Sequence, residues 1–208
     1  MSTRGIKRLT RRFFSRPTLE VAPDLLGKYL VFDSPQGRLS GRIVEVEAYI
    51  GQDDPACHAS SGRTARTDRL FGPPGHAYIY LIYGMYYCFN FVTEPDCTAA
   101  AVLLRAAEPC EGVDVMQLNS PRSREYRLLS GPGVLCRSFG LTREQNGWDL
   151  TKSAIWAEDR GEAVKSVATS PRIGISKATK RHWRFYDAAS HAVSGSGNVN
   201  RTPKKVLS

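Results

Sequence analysis

Long apolar runs are missing from this 208-residue chain. Hydrophobic residues make up 41% of it, yet every run is interrupted within a few residues, far short of the roughly 18 needed to span a bilayer. Paired cysteines are missing too. Cys57, Cys88, Cys97, Cys110 and Cys136 are odd in number, widely spaced and without a C-x-x-C pair. That argues against a zinc knuckle or a disulfide framework and for a reducing compartment. No break in composition and no internal repeat divides the chain, which predicts one domain around one core. Together these absences predict a protein of the cytosol or nucleoid, without a membrane partner.

Acidic residues are in deficit: 29 Lys and Arg stand against 20 Asp and Glu, for a formal charge of +9 and a pI near 9.5. Such a balance favours a polyanionic partner. The deficit is sharpest at the start, where Arg4, Lys7, Arg8, Arg11, Arg12 and Arg16 precede the first acid, Glu20. A transit peptide has this composition. The alternation of Arg and Phe running into Pro17 and a helical pattern over Val21 to Leu30, with no cleavage signature, favours a basic DNA-facing arm instead. At the other end, Ser194 to Ser208 is rich in Ser, Gly, Asn and Lys. With so little apolar content it cannot offset its ordering entropy, which predicts a frayed basic tail, most clearly over 196–208.

Between the ends, strand patterns dominate. Tyr29 to Asp33 and Gly41 to Ile50 read as strands around a turn at Ser34 to Gly37. After a polar stretch from Gly51 to Arg69 and an FGPPG turn, Tyr78 to Tyr83 and Met85 to Val92 form a hairpin pivoting on Gly84. Ala100 to Ala106 is a further strand, and Val113 to Asn119 and Val134 to Phe139 are helices, the second opening after a Ser-Gly-Pro turn. The fold predicted is α+β: a single compact domain with a curved antiparallel sheet, surrounding helices and a protruding β-hairpin.

Side chains alternate across a strand, so in RIVEVEAYI the residues Glu45, Glu47 and Tyr49 share one face. For an isolated E-x-E the ordinary reading is the solvated face of an edge strand. Here the loop DDPACH brings Asp53, Asp54 and His58 within reach and the hairpin adds Tyr78 and Tyr80, more rings than a solvated face needs. The stretch Gly75 to Asn90 carries five tyrosines in sixteen residues. Tyr83, Met85 and Tyr86 cluster at a hairpin tip, where turns usually carry small polar residues. Either the tip packs under another loop, or it is a wedge that enters the minor groove and unstacks a base step.

The blocks RIVEVEAYIGQDDPACHAS, FGPPGHAYIYLIYGMYYCFN, AAVLLRAAEP and LLSGPGVLC resemble, in order and spacing, the signature blocks of the alkyladenine (3-methyladenine) DNA glycosylase family, methylpurine glycosylase type. The resemblance runs from about Phe14 to about Gly195. It implies a metal-free, cofactor-free enzyme that flips damaged purines from double-stranded DNA and acts as a monomer. By this resemblance Glu47 is the general base for the water attacking C1′, Arg105 helps hold that water, and Val193 assists through its carbonyl. Tyr49, His58 and Tyr80 grip the extruded base, Asn90 obstructs the 2-amino group of guanine, and Tyr83 with Met85 fills the gap in the duplex. No lysine matches a Schiff-base position, which implies a monofunctional glycosylase without strand cleavage. In two places the sequence departs from the pattern. Ala192 stands where many relatives have a bulky aromatic, which implies a roomier pocket, and the tail beyond Gly195 has no counterpart.

The chemistry fits the resemblance. Electron-rich rings attract a cationic methylpurine by about 0.5–2 kcal/mol each, and a good leaving group needs chiefly an activated water and a nearby negative charge. Two other readings stay open. A metal-dependent nuclease would use Glu45, Glu47, Asp53 and Asp54 as oxygen ligands, and a minor-groove binder would flip bases without cleaving them. Among the basic residues, Arg63, Arg66, Arg69, Lys177, Lys180, Arg181 and Arg184 either contact phosphates or form solvated faces. The glycines of the Ser-Gly-Pro-Gly turn serve either a phosphate or loop packing. His76 reads as structural.

Overall fold

The computed structural model describes residues 6–195. Nine strands form one antiparallel sheet with four α-helices against it, an α+β architecture. The strands are β1 (Lys7–Arg8), β2 (Tyr29–Ser34), β3 (Gly37–Ile50), β4 (Ala77–Ile82), β5 (Tyr86–Val92), β6 (Ala100–Glu111), β7 (Ile155–Asp159), β8 (Val167–Ser170) and β9 (Arg184–Asp187). The helices are α1 (Arg11–Phe14), α2 (Thr18–Asp24), α3 (Val113–Asn119) and α4 (Pro132–Phe139). The sheet runs β1-β7-β2-β3-β6-β5-β4, and β9 joins it against β3 while pairing β8 on its other side. Among the described residues, no helix is long and apolar enough to cross a membrane.

The fourteen-residue β3 organises the molecule. Its first half lies between β2 and β6, and its second half lies between β6 and β9. Residues Glu45 to Glu47 are therefore central, not on an edge. Val46 and Ala48 point into the main core, where Phe89, Phe91, Leu104, Leu135 and Phe139 pack with helix residues such as Val21 and Met116. Alternation then puts Glu45, Glu47 and Tyr49 on the opposite face, where a smaller cluster around Tyr78, Cys57 and Leu70 supports Tyr49 and Tyr80.

Several elements differ from the sequence expectation. The helix expected over Val21 to Leu30 ends at Asp24. Pro23 leaves the last turn without one donor, Gly27 adopts φ +78°, and Leu30 continues into β2, buried against the sheet. β6 extends to Glu111, and β7, β8 and β9 were not anticipated. The basic start is not a free arm from Lys7 onward. Arg8 bonds the Ser153 carbonyl and stacks on Trp156, Arg11 bonds Asp149 and the Pro74 carbonyl, and Arg16 pairs with Asp24. β1 also lies at the end of the sheet opposite the β4–β5 hairpin. The predicted tail at 196–208 falls outside the described residues, but Ser194, read as its first residue, is buried and hydrogen-bonded inside the fold.

Candidate active site

A cleft of about 620 Å³ opens on the glutamate face of the sheet. Tyr49, His58 and Tyr80 line it, with Tyr83 and Tyr86 from the hairpin, Arg105 and Leu103 from β6, the start of α4, and the loop Ile173 to Lys177.

A paired irregularity shapes its floor. Ile43 faces Ala107, Glu45 faces Ala106, and Val46 faces Leu104, so Val44 on β3 and Arg105 on β6 have no opposite number. Such bulges re-aim side chains. Arg105 is on the glutamate face by alternation from Leu103, which pairs with Glu47, and the irregularity leaves it without a partner directly opposite: its Nε donates to Glu45 (2.9 Å), Nη1 to Glu47 (3.3 Å) and Nη2 to Ser194 Oγ (3.1 Å). Burial works against the guanidinium charge, but Glu47 and Glu45 outweigh it and hold its pKa above the ordinary value.

The two carboxylates differ in their partners, although both are wholly buried. Glu45 accepts from Arg105, from Arg184 Nε (2.7 Å), and from the backbone and hydroxyl of Ser194. Glu47 accepts from Arg105, from the Tyr49 hydroxyl (2.8 Å) and from the Ile173 amide (2.7 Å). Its Oε1 takes only that last bond, which leaves acceptor capacity for a water. Burial, then the charge and hydrogen bond of Glu47, push the Tyr49 phenol far up, so it stays a donor.

The aromatic wall is mutually braced. His58 meets Tyr80 edge-on at 4.4 Å between centroids, and its Nδ1 lies 3.1 Å from the Tyr78 hydroxyl. Burial raises the phenols of Tyr80 and Tyr78, the latter to about 12. Although part of the His58 ring reaches the surface, desolvation by the surrounding rings and then the charge of Arg66 lower its pKa, which favours the neutral imidazole at pH 7. Asn90 is buried further in, donating to the Tyr78 and Cys88 carbonyls and lining a void of about 20 Å³ behind His58 and Tyr80.

Among the described residues nothing covers the hairpin tip: Tyr83 is 78% exposed and Met85 65%. Tyr83 also has φ +53°, a left-handed conformation uncommon for tyrosine, and Gly84 follows at +69°. That strain supports an aromatic ring held out at the tip for a purpose beyond folding.

The methylpurine-DNA glycosylase family profile matches residues 12–191. The chain belongs to the methylpurine-DNA glycosylase family. Its relatives include a protein of Methanocella arvoryzae, 54% identical over 191 residues, covering 89% of this chain and 95% of that protein. Others are from Chlorobaculum parvum, 47% identical with 91% of each chain covered, and Salinibacter ruber, 48% identical with 89% and 96% covered. All three are provisionally named 3-methyladenine DNA glycosylase.

Within this glycosylase, the cleft gathers Arg105, Tyr49, His58 and Tyr80, with Tyr83 at its rim, and Glu47 lies buried beneath that lining, bonded to Arg105, Tyr49 and Ile173. Val193 packs with Val44 and Ala106 beside Ser194. Ala192 belongs to that same buried cluster and is not among the residues lining the cleft. The nuclease ligand set is not assembled: Asp54 is locked to Arg172, Asp53 is exposed, and Glu45 is consumed by two arginines. Arg184, a candidate phosphate contact, is buried on Glu45 instead. Gly133 answers to packing, since a Cβ there would lie 2.9 Å from the Tyr86 ring. His76 bonds Arg11 and the Pro73 carbonyl, away from the cleft. Sequence reading missed Arg172, Ile173 and Ser194. The only local signal was the PRIGIS segment, whose meaning depends on a contact across 126 residues.

Proposed function

We propose that this DNA glycosylase extrudes alkylated or deaminated purines from duplex DNA and hydrolyses their N-glycosidic bond with a water activated by Glu47. The observation that carries the reading is a carboxylate buried directly beneath an aromatic cleft and bonded to three of its lining residues, Arg105, Tyr49 and Ile173. Tyr83 enters the base stack and offsets part of the few kcal/mol that extrusion costs. Tyr49, Tyr80 and His58 then hold the purine, and Asn90 behind them rejects the 2-amino group of guanine.

As the bond from C1′ to the purine breaks, the sugar gains positive charge that Glu47 stabilises. Glu47 takes a proton from the water while the water oxygen bonds to C1′, and the electron pair of the broken bond leaves with the purine. Arg105 sits beside the carboxylate as its counter-ion, and the Val193 carbonyl orients the water. A 3-methyladenine or 7-methylguanine leaves readily because it is cationic. Hypoxanthine and ethenoadenine leave only when protonated, so they are the slower substrates. The enzyme acts as a monomer in the cytosol or nucleoid, in keeping with five free cysteines.

The test is base release in EDTA from methylated duplex DNA and from oligonucleotides carrying one hypoxanthine or ethenoadenine, comparing wild type with Glu47→Gln. Release by wild type alone supports the reading. Release by both proteins, or tight binding without release, overturns it.

A further inference from the structure

Arg172 is not part of the cleft lining, yet it is tied to two of the three groups that hold Glu47, stacking on Tyr49 and preceding Ile173 in the chain. Its side chain is fully buried. Nη1 donates to the Ala48 carbonyl (2.9 Å), one residue from Glu47, and Nη2 donates to Asp54 (2.7 Å). The guanidinium lies 4.5 Å from the centroid of Tyr49 and 5.1 Å from that of Trp183. Since Arg172 lines no part of the cleft and Tyr49 does, it covers the ring from behind. The next residue in the chain, Ile173, gives its amide to Glu47 Oε1. One side chain thus ties together strand β3, the loop at Asp54, the Tyr49 ring and the strap that runs along the cleft from Ile173.

Burying a cation with its Nε left without a hydrogen-bond partner lowers stability. A residue selected only to fill space would not need that charge or that fork. We propose that Arg172 is a positioning residue of base excision, setting the Tyr49 ring and the Ile173 amide on Glu47 so that the carboxylate meets the water and C1′ in register. This inference rests on Glu47 being the general base. Small displacements at such a centre cost about 10²-fold in rate.

Arg172→Lys keeps the charge and loses the fork, and Ile173→Pro keeps Arg172 but deletes the amide donor. Single-turnover excision per active enzyme should be measured with half-saturating DNA concentration and thermal melting alongside. We expect both variants to slow the chemical step, Arg172→Lys by about 10²-fold, with half-saturation changed by less than about threefold. A merely structural role predicts loss proportional to unfolding with an unchanged rate per folded enzyme, and that result, or a wild-type rate in Arg172→Lys, overturns the inference. If Arg172→Lys fails to fold, Ile173→Pro decides through the same split between rate and half-saturation. Glu47→Gln in the same series separates the two claims. If Glu47→Gln still excises, the base assignment has failed. If it is inactive while Arg172→Lys is not slowed, only the role of Arg172 has failed.

Discussion

Glu45 and Glu47 sit two residues apart on one strand face, and their partners predict opposite phenotypes. Replacing Glu45 by Gln leaves Arg184 with only Ser170 Oγ and the Ser194 carbonyl, and leaves Arg105 with Glu47 at 3.3 Å. An uncompensated buried charge of this kind costs about 3–5 kcal/mol. For a domain of this size each kcal/mol lowers the melting temperature by about 2–4 °C, so Glu45→Gln should melt roughly 6–20 °C lower. Replacing Glu47 by Gln leaves both arginines on Glu45, which already bonds each of them. Its melting temperature should stay within about 4 °C of wild type, while single-turnover base release falls about 10²–10⁴-fold with the loss of the base. The two measurements are a thermal melt and excision normalised to folded protein. A Glu47→Gln melt as low as that of Glu45→Gln, or a wild-type melt for Glu45→Gln, would refute this division of labour.

Tyr83→Asn keeps a residue that tolerates the left-handed turn. It should leave stability within about 0.5 kcal/mol and slow excision from duplex DNA about tenfold, with a smaller effect on a single-stranded lesion; equal slowing of both would remove the wedge role. His58 has a pKa below its ordinary 6.5, so it is neutral above that value and gains a proton only as pH falls through its lowered pKa. Excision of a cationic methylpurine should therefore drop along that acid limb, and His58→Gln should shift the limb to lower pH. Lys177 lines the cleft and is exposed, yet borohydride should trap no covalent adduct with an abasic product. A trapped adduct lost in Lys177→Gln would show lyase chemistry at that amine.

Much of the site was legible because it is local. Period-two alternation put Glu45, Glu47 and Tyr49 on one face, and a tip of Tyr-Gly-Met contradicted ordinary turn chemistry enough to attract notice. The helix over Val21 to Leu30 was misjudged because Leu25, Leu26 and Leu30 fit a helical period, while Gly27 turns the chain into a strand between them. Strands β7 to β9 are short and carry charged residues such as Arg184 that face inward only because Glu45 waits for them. Arg105 is harder still. Alternation from Leu103 gives its face, but that this face is the glutamates' follows only from the pairing of Leu103 with Glu47, two positions far apart in the chain.

The same burial changes what the net charge of +9 means. Read as a surface property, it suggests a broad basic face for DNA. Arg105, Arg172 and Arg184 are instead buried counter-ions for Glu45, Glu47 and Asp54, and Arg8, Arg11 and Arg42 are held by protein oxygens or rings far along the chain. Exposed cations near the cleft are fewer: Arg66 beside Tyr80, Arg137 beside Tyr86, and Lys177 on the strap. They border a deep aromatic slot instead of forming a stripe. On the proposed function, recognition by such a surface would depend less on counterion release from many phosphates than on whether one base leaves the helix and fits between the rings.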